Sequence, residues 1–90
     1  MLIKDFILSY EMNEISFILS YTHPSNDKIL RLLIVDITNQ SNQKQIAHCL
    51  FDSKAKKGDI LTLPIKITNN AFTEELFNKT LELRVSNGSR

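Results

Sequence analysis

Apolar and polar residues alternate along most of this chain with a period of two, the pattern of strands that bury one face. Near the start the pentapeptide FILSY occurs twice, at residues 6–10 and 17–21. In the first copy Phe6, Leu8 and Tyr10 share one parity; in the second Phe17, Leu19 and Tyr21 do, with Ser16, Ser20 and Thr22 opposite. The two copies read as the arms of a hairpin. A loop over 11–14 pairs Tyr10 with Ile15, Leu8 with Phe17 and Phe6 with Leu19, which brings every large side chain to one side. A loop of odd length would split the apolar set between faces, an arrangement that burial penalises. Asn13 is the residue in this loop best able to adopt left-handed backbone.

The segment HPSND at 23–27 is a turn cluster, with Pro24 disfavouring helix at His23. KILRLLIVDITN follows. As a strand it is apolar on both faces, like a central strand between two layers. As a helix it carries a polar stripe of Lys28, Arg31 and Thr38. Its β-branched cluster Ile34, Val35, Ile37 and Thr38 favours the strand. QIAHCLFD at 45–52 predicts a fourth strand, after which SKAKKGD forms a basic turn. ILTLPIKIT at 60–68 alternates cleanly and predicts a fifth strand. Pro64 cannot donate to a ladder, so this strand belongs at an edge or carries a bulge. NAFTEELFNK predicts one or two helical turns near 73–78, with Thr73 as N-cap, Glu74 and Glu75 in the first turn, and Phe72 stapled to Phe77. The last run, TLELRVS, turns Leu81, Leu83 and Val85 inward. Asn87-Gly88 is a hairpin signal with only two residues after it, which predicts either a frayed tail or a longer natural chain. The whole is expected to be one all-β domain over 1–90, a small antiparallel sandwich or barrel of about six strands.

Ninety residues, 42% hydrophobic and 23% charged, suit a single-core globular domain. The lone Cys49 excludes an internal disulfide, and with no apolar stretch suited to a signal or membrane span the expected setting is cytoplasmic, away from any membrane. Glycine is limited to Gly58 and Gly88, while eight asparagines are present to fill left-handed turn positions. No glycine-rich loop exists to cradle a phosphate or dinucleotide, and no cofactor is expected. Net charge is +1, yet residues 1–27 carry −3 and residues 28–57 carry +4. The abundance of Ile, Lys and Asn hints at an AT-rich bacterial or viral genome.

The candidate chemistry is sparse. His48 and Cys49 point to opposite faces of a strand and cannot act as a pair, while His48 and Asp52 share a face at about 13 Å. A zinc site would need carboxylates beside one cysteine and two histidines, and no spacing supplies it. Ser9, Ser16 and Ser20 lie on outer faces with no nucleophile elbow, and Glu11 and Glu14 flank an exposed turn and read as solvated surface. No enzyme is expected. The leading expectation is a protein–protein interaction module, an accessory subunit, inhibitor or self-assembling element, docking through an exposed strand edge or sheet face onto another protein or onto itself. Its candidate partner-binding residues are Tyr10, Tyr21, Lys54, Lys56, Lys57 and Pro64. The alternative is a nucleic-acid-binding β domain using the basic segment 44–57, disfavoured because no arginine stripe or stacking platform accompanies the lysines.

Overall fold

The computed structural model of the protein describes residues 1–26, 29–52 and 55–87. Six strands appear in the expected order: β1 (Leu2–Ser9), β2 (Glu14–Thr22), β3 (Ile29–Asp36), β4 (Lys44–Asp52), β5 (Ile60–Thr68) and β6 (Leu81–Asn87), with a 3₁₀ turn at Glu74–Asn78 before β6. They form two antiparallel three-stranded sheets, ordered β1-β2-β5 and β4-β3-β6. The architecture is a sandwich of two open sheets, and the segment with both strand and helix character is the central strand β3.

The central strands supply the core because each is flanked on both sides. From β2 come Ile15, Phe17, Leu19 and Tyr21; from β3 come Leu30, Leu32 and Ile34, all buried. Alternation accounts for this directly: odd residues of β2 and even residues of β3 face the space between the sheets. Ala47, Ile67, Phe72 and Leu76 complete the buried cluster. On the other face of β3, Arg31 and Leu33 are half-buried and Val35 is buried, as a strand apolar on both sides requires.

The first hairpin folds as expected in parity and differs in register. Strand β1 ends at Ser9 and the loop covers 10–13, so Ser9 faces Glu14, Leu8 faces Ile15 and Ile7 faces Ser16. The turn is placed by Asn13, which adopts φ 51°. Its side-chain amide donates to the Phe72 carbonyl at 3.0 Å, and its own carbonyl accepts from Asn69 N–H at 2.9 Å. These bonds come from residues more than fifty positions away, so local pattern alone could not locate the turn. The register then changes again between Lys4 and Ile7, where Asp5 and Phe6 together oppose Phe17. Asp5 accommodates this bulge with φ 55°. Past it Ile3 faces Leu19, so the inward set of β1 is Ile3, Phe6 and Leu8. Phe6 therefore stacks on Phe17, ring centroids 6.4 Å apart, instead of pairing with Leu19.

The helical turn expected near 73–78 is present, while its expected cap bond and staple are corrected. The turn at Glu74–Asn78 is 3₁₀, and Thr73 flanks it in extended conformation without a side-chain cap bond. The tighter winding sends Leu76 inward and Phe77 outward. Phe77 meets Tyr10 edge-on at 6.0 Å, while Phe72 is wholly buried, so the staple between Phe72 and Phe77 does not form. His23, at the start of the turn cluster, is 1% exposed. Its backbone bonds to Asp59 and Gly58, and Gly58 takes φ 93°, a conformation that favours glycine although no atom crowds its Cβ position.

Candidate functional site: an open strand edge above an apolar cleft

Four strands bound the sheets: β1 and β5 in one, β4 and β6 in the other. Sheet edges offer unpaired backbone groups, and proteins usually blunt them with bulges, prolines or charges. Strand β1 carries the Asp5–Phe6 bulge. Strand β5 carries Pro64 near its middle, opposite Ile18, so the expected edge position of this proline holds. Strand β4 shifts register between its Ala47 and Gln45 pairings. Strand β6 has neither bulge nor proline, and its charges are Glu82 and Arg84: it runs from Leu81 to Asn87 in one unbroken register with β3.

The hydrogen-bond phase of β6 follows from its entry. Ile37 N–H donates to the Thr80 carbonyl at 2.9 Å, and Thr80 N–H donates to the Thr38 hydroxyl at 2.8 Å. Alternation in an antiparallel ladder then assigns the groups of Glu82, Arg84 and Ser86 to β3. The N–H and C=O groups of Leu81, Leu83 and Val85 aim outward. Among the described residues, no strand pairs with that edge.

Beside this edge the two sheets part to leave a cleft of about 440 Å³. Ile3, Phe6 and Leu8 line it from β1, Phe17 from β2, and Leu81 and Leu83 from β6. The apolar side chains of β6 pack against the core yet stay only partly buried, whereas Leu30, Leu32 and Ile34 of β3 are buried. Phe6 remains 51% exposed and Phe77 59%. Polar groups are confined to Lys79 and Glu82, which gives the cleft little means of orienting a small polar ligand. On the outer face, Arg84 contacts Glu82 along the strand and donates to Gln43 at 2.9 Å.

The residues singled out by sequence fall in different places. Tyr10 stands beside Phe77, which itself lines the cleft. Tyr21 is buried, its hydroxyl 3.4 Å from His23 Nδ1, and serves the interior. Lys56 and Lys57 are exposed in the turn before β5, with their N–H groups held by Asp59 and Asn26. Lys54 lies outside the described residues, as does Gly88 of the terminal hairpin signal. Lys44 begins β4, which ends at Asp52, so the extended strand carries the chain roughly 27 Å from Lys44 before the turn that holds Lys56 and Lys57. His48 is exposed, with Nδ1 3.4 Å from the Gln45 amide; Cys49 faces the other way, and burial pushes its thiol pKa up from the ordinary value. Among the described residues no three His, Cys, Asp or Glu side chains are grouped to hold a metal, and no helix is long and apolar enough to cross a membrane. The edge of β6 escaped the sequence reading because edge order is a property of topology. The chain matches no family model, no curated protein and no solved structure.

Proposed function

We propose that this protein is a non-enzymatic docking module that receives an extended segment of a protein partner as an added strand on β6. One observation carries the reading: the strand edge without a bulge or proline lies next to the apolar cleft. Strand addition uses both features, with main-chain bonds supplying affinity and alternate side chains entering pockets. A partner strand whose alternate residues are branched aliphatics would bond to Leu81, Leu83 and Val85 and send its apolar side chains over Ile3 and Phe6. Tyr10 and Phe77 would form part of the rim. A cytoplasmic setting suits the unpaired Cys49. The nucleic-acid reading has less support, since its lysines are spread along β4 and the following turn.

The test is amide and methyl NMR mapping with a synthetic extended peptide of alternating threonine and branched aliphatic residues. The expected result is perturbation of the Leu81, Leu83 and Val85 amides together with the Ile3 and Leu8 methyls. Perturbation confined to the β4 or β5 edge, or none at millimolar peptide, overturns the proposal. Turnover of a substrate panel that disappears on replacing His48 or Cys49 would overturn its non-enzymatic part.

A further inference from the structure

We infer that the segment seated on the β6 edge is β6 of a second copy, running antiparallel about a two-fold axis through Leu83. This rests on the docking reading above and names its partner. The argument begins from the phase of the ladder. Only residues whose backbone groups point outward can pair across the new seam, and these are Leu81, Leu83 and Val85. A symmetric antiparallel pairing must therefore match odd residues with odd ones. Centred on Leu83, it joins Leu83 to Leu83 of the second copy, and Leu81 to Val85 in both directions. All three outward residues are used.

The same register decides the charges. Glu82 falls directly opposite Arg84 of the second copy, and Arg84 opposite its Glu82, on the outer face where such cross-strand pairs interact. Shifting the axis by one residue keeps the odd-to-odd ladder but sets Glu82 against Glu82 or Arg84 against Arg84. Both neighbouring registers are disfavoured by like charges, so the sequence LELRV selects one. In the isolated chain the two side chains already touch along the strand, which holds both on the outer face at the positions the seam requires. On the inner face, Leu81, Leu83 and Val85, each only partly buried, meet their counterparts and extend the apolar layer past the edge. The result is a continuous six-stranded sheet, β4-β3-β6 followed by its symmetry mate, with an isologous interface.

Charge reversal with mixing tests this. Glu82→Lys alone places an ammonium opposite Arg84 of the second copy, and Arg84→Glu alone places a carboxylate opposite Glu82. Each variant is therefore expected to dissociate at least about tenfold more readily than the wild type. Mixed in equal amounts, the two variants pair both positions with opposite charges, and a heterodimer is expected by native mass spectrometry and sedimentation equilibrium. The mixture isolates the seam because the contact within each chain stays broken in both variants. Circular dichroism checks that each is folded. Amide hydrogen exchange on the wild type supplies a second readout free of mutation: exchange at Leu81, Leu83 and Val85 should slow as protein concentration rises. A wild type that stays monomeric, a dimer indifferent to these charges, or exchange independent of concentration overturns the inference. If the threonine-aliphatic peptide still maps to β6 in that case, the docking reading survives; if it does not, both fall.

Discussion

Replacing Asn13 separates two contributions that the first hairpin combines. The residue sits at φ 51°, and its side chain donates to the Phe72 carbonyl at 3.0 Å across the fold. Asn13→Gly keeps the left-handed backbone and loses the bond. Leaving a part-buried carbonyl without its donor costs about 1 kcal/mol at the low end of the usual range. Asn13→Ala loses the bond and also places a Cβ in left-handed backbone, adding roughly 1–2 kcal/mol. The expected losses are thus about 1 kcal/mol for glycine and about 2–3 kcal/mol for alanine, against the roughly 5–15 kcal/mol available to a folded domain. Equilibrium urea unfolding measures both. With a slope near 1 kcal/mol per molar for so small a chain, the alanine midpoint should lie roughly 1–2 M below the glycine midpoint at unchanged slope. Equal midpoints for the two variants would refute the idea that backbone conformation at Asn13 places the turn, and a glycine variant as stable as the wild type would refute the role of the bond.

Two further predictions concern ionisable groups. Hydrogen bonds to Thr38, first from its side chain and then from its backbone, hold the Asp36 carboxyl below its ordinary value of 3.8. Because the folded value is the lower one, the stabilisation is present above about 3.8 and is lost as pH falls through the folded value; carboxyl NMR should give a folded midpoint under 3.8, and a midpoint at or above it would contradict the geometry. Burial raises the Cys49 thiol pKa, so alkylation by iodoacetamide near pH 8 should run slower than for a free cysteine and recover on unfolding in urea; a rate in the folded state matching that of a small thiol would show Cys49 to be accessible and ionised.

Alternation made the strands legible because each inward position has the same packing task wherever it occurs in a sheet. The segment 60–68 announced both its strand and, through Pro64, its place at an edge. The central position of β3 was written in Leu33 and Val35, apolar on the face that a two-layer protein usually leaves to water. Register was less legible. The turn at Asn13 is set by Phe72 and Asn69, and the bulge at Asp5 depends on a non-glycine residue accepting positive φ, neither of which a period of two reports. Phe77 followed a spacing suited to an α-helical staple, but a 3₁₀ turn rotates the side chain to the outside. The signal for the candidate site was present in LELRV, whose charges reverse about Leu83, and it acquired meaning only once topology left β6 at an edge with its odd residues facing out.

The repeated pentapeptide shows why one side of the molecule is left open. In β2, flanked by β1 and β5, Phe17 and Leu19 are 4% and 0% exposed; in β1, an edge strand among the described residues, Phe6 is 51% exposed. Identical residues thus meet different fates because one copy is central and the other terminal. Covering the exposed half of Phe6 would contribute roughly 1 kcal/mol, from the 1.5–3 kcal/mol of a fully buried large apolar side chain. Association costs an estimated 4–15 kcal/mol in lost freedom, so covering Phe6 by itself cannot hold a partner. On the docking reading the deficit is met along β6, where Leu81, Leu83 and Val85 would present backbone groups and incompletely buried side chains to the same approaching strand. A partner that engaged the cleft without the edge would be too weakly held, and one that engaged the edge without the cleft would leave Phe6 and Phe77 in water. The two features act together only on an extended segment lying beside β6, which is why the docking reading is committed to a strand and to this edge.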